Sequence, residues 1–140
     1  MISYPAIIEY DKEDLCYNVE FPDLEGCHTF GDTLEVALTA AKEALTGYLA
    51  SIDARNIHLP KFSKLNGKNV HSIAPHKNVA FAIWLRLKRN EKGYTQSEMA
   101  ELLNIKYQSY QRYENTSSSN PTLKRIEQIE DVLKENIVAV

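Results

Sequence analysis

The chain has 140 residues, of which 44% are hydrophobic and 25% charged, and its formal net charge is −3. This composition excludes wholesale disorder and suffices for one domain or two small ones. There is no run of 18 apolar residues, and the opening Met-Ile-Ser-Tyr-Pro lacks the basic and apolar regions of a secretion signal. We therefore expect a cytoplasmic protein without a membrane partner.

Charge is divided unevenly along the chain. Residues 1–75 contain 11 acidic and 6 basic side chains, whereas residues 76–140 contain 8 acidic and 10 basic ones. The difference indicates two halves that face different partners. A mildly basic half is able to bind a polyanion if its basic groups share one face.

The first predicted element is a β-hairpin. Ile2–Tyr10 and Leu15–Phe21 are rich in Ile, Tyr, Val and Phe, and the polar residues 11–14 separate them. Alternation within the second run predicts one buried face. Its members are Leu15, Tyr17, Val19 and Phe21.

A turn and a long helix are predicted next. Gly26 and Gly31 are expected to permit positive backbone angles in the turn. Asp32, with Glu35 three residues later, predicts a capped helix start, and the apolar spacing from Leu34 to Ile52 predicts a helix of roughly twenty residues packed on the sheet. The segment Asn69–Ile73 is a candidate for a further short strand.

Residues 56–76 form a polar stretch, and it contains the turn-forming residues Pro60, Gly67 and Pro75. From Asn78 onward the pattern is helical. We therefore predict two domains, over residues 1–75 and 76–140.

The second half contains a sharply defined helix start. Thr95 is a good N-cap, and Glu98 completes a capping box at the third helical position. Met99 and Ala100 point to an inward stripe, and Asn104 suits a left-handed turn residue before the next helix. This spacing predicts a helix-turn-helix.

These residues resemble the Cro/C1-type (XRE-like) helix-turn-helix domain over about the last 60 residues. The pattern is matched by Thr95-Gln96, Met99-Ala100, Ile105 and Glu114. The sequence departs from it at Asn104, Tyr110 and Tyr113. We expect those departures to alter packing more than docking.

The resemblance implies that the second motif helix enters the DNA major groove. It also implies that Gln96, at the positive end of its helix, holds a phosphate. The alternative is that the polar residues form only a solvated helix face. The DNA-binding residues implied are Thr95, Gln96, Lys106, Tyr107, Gln108, Gln111 and Arg112.

The resemblance further implies a structural brace between Arg89 and Glu114, because a carboxylate that faced DNA would repel phosphates. Trp84 and Tyr94 are expected in a core or an interface and not as base-stacking groups.

The first half carries a second resemblance. The run Phe21-Pro22-Asp23-Leu24-Glu25-Gly26-Cys27, followed by Gly31-Asp32-Thr33-Leu34-Glu35 and Ala37-Leu38, resembles the signature of the HicB antitoxin family. Val36 departs from it. The resemblance implies an α+β protein, with a small antiparallel sheet and one long helix similar to a trimmed ribonuclease H fold, joined here to an all-α helix-turn-helix domain.

The function implied is that of an antitoxin from a HicA–HicB pair. Its N-terminal domain would bind and neutralise a HicA-type mRNA-cleaving ribonuclease toxin, and its C-terminal domain would repress its own operon by binding operator DNA as a homodimer or tetramer. Toxin contacts are expected from exposed strand side chains and from the loop after the long helix, with no residue assigned.

Two alternatives remain open. One is a ligand-responsive transcriptional regulator with a small-molecule-binding N-terminal domain. The other is a metal-dependent nuclease, since the first half offers several carboxylates. Turn and capping chemistry already accounts for Asp23 and Asp32, and Cys16, Cys27 and the histidines lack metal-ligand spacing. We therefore expect no enzyme, no catalytic residue, no metal and no cofactor. The carboxylates considered are Glu9, Asp11, Glu20, Asp23 and Asp32.

Overall fold

The computed structural model describes residues 2–55, 58–61 and 63–137. The chain divides into two compact units, one over Ile2–His76 and one from Lys77 onward. In chain order, the elements are β1 (Tyr4–Asp11), β2 (Cys16–Glu20), β3 (His28–Gly31), α1 (Leu34–Ala54), β4 (Val70–Ile73), α2 (Lys77–Lys92), α3 (Gln96–Leu103), α4 (Tyr107–Glu114) and α5 (Leu123–Leu133).

The first unit is a four-stranded antiparallel sheet in the order β3-β2-β1-β4. The predicted hairpin is β1 and β2, with Ile8 opposite Val19. β4 pairs with β1 at Val70–Ile73, which confirms the short strand expected there. Together with the helical second unit, this sheet confirms the α+β class.

One face of the sheet is covered by α1, a helix of 21 residues. Tyr4, Ala6 and Ile8 are buried, as is Val19 opposite Ile8. Leu34 was also expected inward, but it is 40% exposed because it begins the helix ahead of the buried stripe. The buried residues of α1 are Ala37, Ala41, Leu45, Leu49 and Ile52.

The predicted position of Leu15 is wrong. Leu15 lies in the turn before β2 with a φ of 53°, and its side chain is 67% exposed. From Tyr17 onward the expected alternation holds, since Val19 and Phe21 are buried, Tyr17 is half-buried, and Asn18 and Glu20 between them are exposed. Cys16 opens β2 as a buried thiol, and both Cys16 and Cys27 are free.

The segment predicted as a turn contains β3, which sequence reasoning missed. Gly26 has the expected positive φ of 79°, but Gly31 does not adopt a positive φ. Gly31 is needed for close packing, because a Cβ there would lie 2.4 Å from the backbone nitrogen of Ala37. The missing side chain lets the end of β3 approach the first turn of α1.

The predicted cap of α1 is also one residue off. Thr33 is the N-cap, in extended backbone, and its hydroxyl accepts a hydrogen bond of 3.1 Å from the N–H of Val36. Asp32 lies one residue too early to reach the third helical N–H.

The second unit packs α2 to α5 around an apolar core. Thr95 and Glu98 form the predicted capping box of α3, and Asn104 ends that helix in the left-handed region with a φ of 56°. Trp84 is buried in the core, as expected. The helix-turn-helix is therefore confirmed at α3 and α4. Across the described ranges, no helix is both long and apolar enough to cross a membrane. The core consists of Phe81, Trp84, Leu85, Met99, Ala100, Leu103, Tyr110, Ile129, Leu133 and Ile137.

Candidate functional site

The outer face of α4 is polar and accessible. Lys106 precedes the helix as its N-cap residue and makes no side-chain cap hydrogen bond. Tyr110 and Glu114 face inward and are buried, in keeping with a period of 3.6 residues. The helix therefore separates a packing face from an exposed polar face. The exposed residues from the predicted set are Lys106, Tyr107, Gln108, Gln111 and Arg112.

The Glu114 carboxylate is buried at the back of this helix, with its side chain 4% exposed. Arg89 of α2 donates to it from Nε at 2.6 Å and from Nη2 at 3.1 Å. Tyr110 donates from its hydroxyl at 2.5 Å, and Gln96 of α3 donates from Nε2 at 3.1 Å. We call these four residues the Glu114 network. Four donors compensate the loss of water around a buried carboxylate.

Two pKa values report on this network. The hydrogen bond to Glu114 raises the pKa of Arg89, so its guanidinium stays charged. Burial raises the pKa of Tyr110 far above its usual value, and the hydrogen bond to Glu114 adds to the effect. Tyr110 therefore remains a neutral hydroxyl donor.

Gln96 lies between the network and the surface. Its Nε2 is directed to Glu114, so its Oε1 faces outward, 3.3 Å from the Tyr107 hydroxyl and 3.4 Å from Nε2 of Gln111. Gln111 Nε2 also donates to the Tyr107 hydroxyl at 3.0 Å. The side chain predicted to hold a phosphate is thus bonded within the protein. The first N–H groups of α3 lack partners within the helix and present donors at the same end.

A cleft of about 520 Å³ opens at the start of α3. Sequence reasoning did not identify Asn90, Gly93 or Ser97 as part of it. Gly93, with a φ of 77°, turns the chain between α2 and the Thr95 cap, and a glycine two residues before an N-cap was a usable signal. The lining residues are Arg89, Asn90, Gly93, Tyr94, Thr95, Gln96, Ser97 and Tyr107.

Two of the carboxylates considered for catalysis accept hydrogen bonds within the first unit. Asp23 accepts hydrogen bonds from the backbone N–H of Ser63 at 2.7 Å and from its hydroxyl at 3.0 Å. Asp11 accepts the backbone N–H of Glu13 at 2.9 Å within the hairpin turn. Within residues 2–55, 58–61 and 63–137, no group of three or more His, Cys, Asp or Glu side chains is arranged to hold a metal ion.

Comparison with protein families identifies the first unit. The family described as "HicB_like antitoxin of bacterial toxin-antitoxin system" matches residues 4–87, more than half of the chain. The chain belongs to the HicB-like antitoxin family. A helix-turn-helix family matches residues 85–139, so this HicB-like antitoxin carries a helix-turn-helix domain at its C-terminal end.

Individual relatives of this HicB-like antitoxin cover different parts of it. The UPF0150 protein Ta0767 of Thermoplasma acidophilum is 40% identical over 60 residues, which cover 43% of this chain and 86% of the relative. The crystal structure of the Burkholderia pseudomallei antitoxin HicB has a TM-score of 0.45 at 20% identity, over 53% of this chain and 63% of that one. The chain therefore spans less than two thirds of that antitoxin. A toxin-antitoxin complex from Streptococcus pneumoniae has a TM-score of 0.45 at 20% identity, over 71% of this chain and 94% of that one.

Proposed function

We propose that this antitoxin-family protein neutralises a HicA-type mRNA-cleaving ribonuclease through residues 1–75 and represses its own operon through residues 76–140. The observation that supports the proposal is the joining of an antitoxin-family segment, residues 4–87, to a helix-turn-helix segment, residues 85–139. Both roles are binding roles, so we propose no enzymatic activity. Both would be carried out in the cytoplasm, where operator DNA and mRNA are found.

The proposed DNA-reading element is α4, docked in the major groove. Gln108 and Gln111 have the amide needed to pair with an adenine edge, and Arg112 and Lys106 have the donors needed for a guanine. Tyr107 suits a phosphate or a thymine methyl group. Thr95 and Gln96 lie at the positive end of α3, where a backbone phosphate is favoured.

The Glu114 network supports this arrangement electrostatically. A carboxylate on the DNA-facing side of α4 would repel phosphates, but this one is turned inward and paired with Arg89. The proposed brace role of Arg89 and Glu114 is therefore to hold α4 against α2 and α3 without presenting a negative charge to DNA.

Repression would require a two-fold oligomer, either a dimer or a tetramer. Proteins with this motif bind two half-sites about 34–36 Å apart, which corresponds to one turn of DNA. We therefore propose a palindromic operator in the promoter of the chain's own operon.

The proposed DNA binding is tested by gel-shift titrations with promoter DNA of that operon. Gln108→Ala combined with Arg112→Ala should weaken specific binding by about 30-fold or more, since each of the two side chain–base contacts would contribute about 1–3 kcal/mol. The control is Lys124→Ala combined with Gln128→Ala, which removes one charge and one amide from the exposed face of α5. Unchanged operator binding by the first pair would reject α4 as the reading helix.

The proposed toxin binding is tested by mixing the chain with the HicA-type toxin that its proposed operon would encode and following cleavage of an mRNA. Equimolar chain should suppress cleavage. Cleavage that continues at full rate in the presence of excess chain would contradict the proposed toxin neutralisation. It would leave the proposed DNA binding unaffected.

A further inference from the structure

The face of the sheet opposite α1 presents a regular platform. Residues directly opposite one another in an antiparallel pair share a face. Three strands therefore place two rows of three side chains on this outer face, about 10 Å across at the usual strand spacing. The first row is Ile7, Glu20 and His28, and the second is Glu9, Asn18 and Phe30. We call these six residues the outer platform.

The platform is accessible. Five of its six side chains are exposed, and Ile7 is half-buried. Phe30 stands out, because it is 63% exposed on an edge strand. Within the described residues of this unit, α1 is the only helix, and it lies on the other face. Exposed aromatic side chains surrounded by polar residues are typical of protein interfaces.

The electrostatic character of the platform is one-sided. Residues 1–41 contain nine acidic side chains and a single basic one, Lys12. Glu9 and Glu20 lie on the platform itself, and neither forms an ion pair among the described residues. The surface therefore favours a partner with a positive face and disfavours nucleic acid.

The platform continues into a cleft. A space of about 530 Å³ lies where β2 passes into β3, and Asn18, Glu20 and His28 line both the cleft and the platform. Glu25 adds a further carboxylate to its wall. A flat aromatic area beside an acidic recess can accept both an apolar contact and a long basic side chain.

We propose that the outer platform and the adjoining cleft dock the basic, RNA-binding face of the toxin. The inference rests on the proposed antitoxin function and assigns it a surface. A ribonuclease must present Lys and Arg side chains to phosphates, so the face complementary to this surface is the one the toxin uses for RNA. Docking there covers the substrate-binding face directly.

The test uses the full chain, a nuclease-inactive form of the HicA-type toxin that its proposed operon would encode, and calorimetric titrations at two salt concentrations. Glu9→Lys combined with Glu20→Lys should weaken toxin binding by about 100-fold and reduce its salt dependence. Phe30→Ala should weaken it by about 10-fold. The control is Glu127→Lys combined with Asp131→Lys, which makes the same change in net charge on the exposed face of α5 and should stay within about 3-fold of wild type.

The outcomes separate the two proposals. Equal effects of the platform and control pairs would overturn the docking surface while leaving the antitoxin function standing. A wild-type chain that does not bind the toxin would overturn both. If Phe30→Ala changes the oligomeric state of the free chain and leaves toxin affinity unchanged, the platform joins copies of the chain, and the toxin assignment is wrong. Unchanged circular dichroism of each variant verifies its fold, and the platform variants should also keep their operator binding.

Discussion

At Glu114, one buried carboxylate collects hydrogen bonds from three helices. Arg89 contributes two of them from α2, Gln96 one from α3, and Tyr110 one from α4 itself. The resemblance at the sequence level pointed to Arg89 as a partner. It did not point to Gln96 or Tyr110, because those contacts depend on how α3 and α4 cross.

Removing the charge of Glu114 should destabilise the second unit strongly. Glu114→Gln leaves the Arg89 guanidinium buried without its counter-charge, and breaking a buried pair costs about 3–5 kcal/mol. Trp84 is the only tryptophan and lies in this core, so urea unfolding followed by its fluorescence reports on this unit. Glu127→Gln, an exposed change of the same kind, serves as the control. A loss below about 1 kcal/mol would show that the pair contributes little.

Because of the buried Tyr4 hydroxyl, we expect the first unit to lose stability at alkaline pH. Burial raises the pKa of Tyr4 to about 12, with the charges of Asp23 and Tyr48 adding to the effect, and its hydroxyl donates to the carbonyl of Pro60 at 2.5 Å. In the unfolded chain the pKa is about 10. Because the folded state holds this proton more tightly, its contribution is fully present below pH 10 and is lost as the pH rises towards 12.

The measurement is urea unfolding followed by far-ultraviolet circular dichroism at pH 9 and pH 11. The urea concentration at the unfolding midpoint of the wild type should be lower at pH 11 than at pH 9. Tyr4→Phe should make this difference smaller. A variant with the same pH dependence as the wild type would remove Tyr4 as its source.

Among the elements, those with local signals were predicted best. The α3 start follows from Thr95 and Glu98, two residues whose hydrogen bonds close within one turn. β3 was missed because its four residues are stabilised by pairing with β2, which no local pattern encodes. Gly31 was misinterpreted for the same reason, since the backbone it approaches belongs to α1.

The two glycines beside and within α1 should respond to alanine in opposite directions. Gly31→Ala would place a Cβ 2.4 Å from a backbone nitrogen, so we expect a loss of about 2 kcal/mol or more. Gly47→Ala meets no atom within 4 Å inside the helix and should gain about 0.5–1 kcal/mol. Both are measured by urea unfolding with circular dichroism. A stable Gly31→Ala protein would contradict the close packing described for β3.

The helix cap offers a test at neighbouring positions. Thr33→Ala should cost about 1 kcal/mol, because it removes the acceptor of the Val36 N–H. Asp32→Ala should cost only the weaker interaction of a charge with the helix dipole, about 0.3–0.5 kcal/mol. Thermal unfolding of the two variants shows which of them loses more stability. A larger loss for Asp32→Ala than for Thr33→Ala would indicate that Asp32 is the cap.

For the whole molecule, the uneven charge along the chain could be predicted from the sequence. The positions of the charged side chains on the folded surface could not. The acidic residues of the first 41 positions include two on the outer platform, which only the strand register brings together. The reading residues of α4 were predicted individually because a single helix with a known period arranges them. Their proposed roles remain predictions.

The two proposed activities should be separable by mutation. The pair Gln108→Ala and Arg112→Ala should weaken operator binding strongly and leave toxin inhibition intact, because both side chains are exposed. The pair Glu9→Lys and Glu20→Lys should do the opposite. Promoter-reporter repression and growth during toxin expression measure the two activities in cells. Loss of both activities in either variant would mean that they share a surface.

The Glu114 network has a consequence for how such proteins diversify. In the brace proposed above, Arg89, Gln96 and Tyr110 bond to Glu114 behind α4, whereas the side chains of Gln108 and Arg112 are exposed on its outer face. If α4 reads the operator as proposed, a duplicated gene can acquire a new operator through changes at the outward positions while its folding framework stays the same. Sister copies in one genome would then regulate separate promoters without cross-talk, and their divergence would be concentrated on one side of a single eight-residue helix.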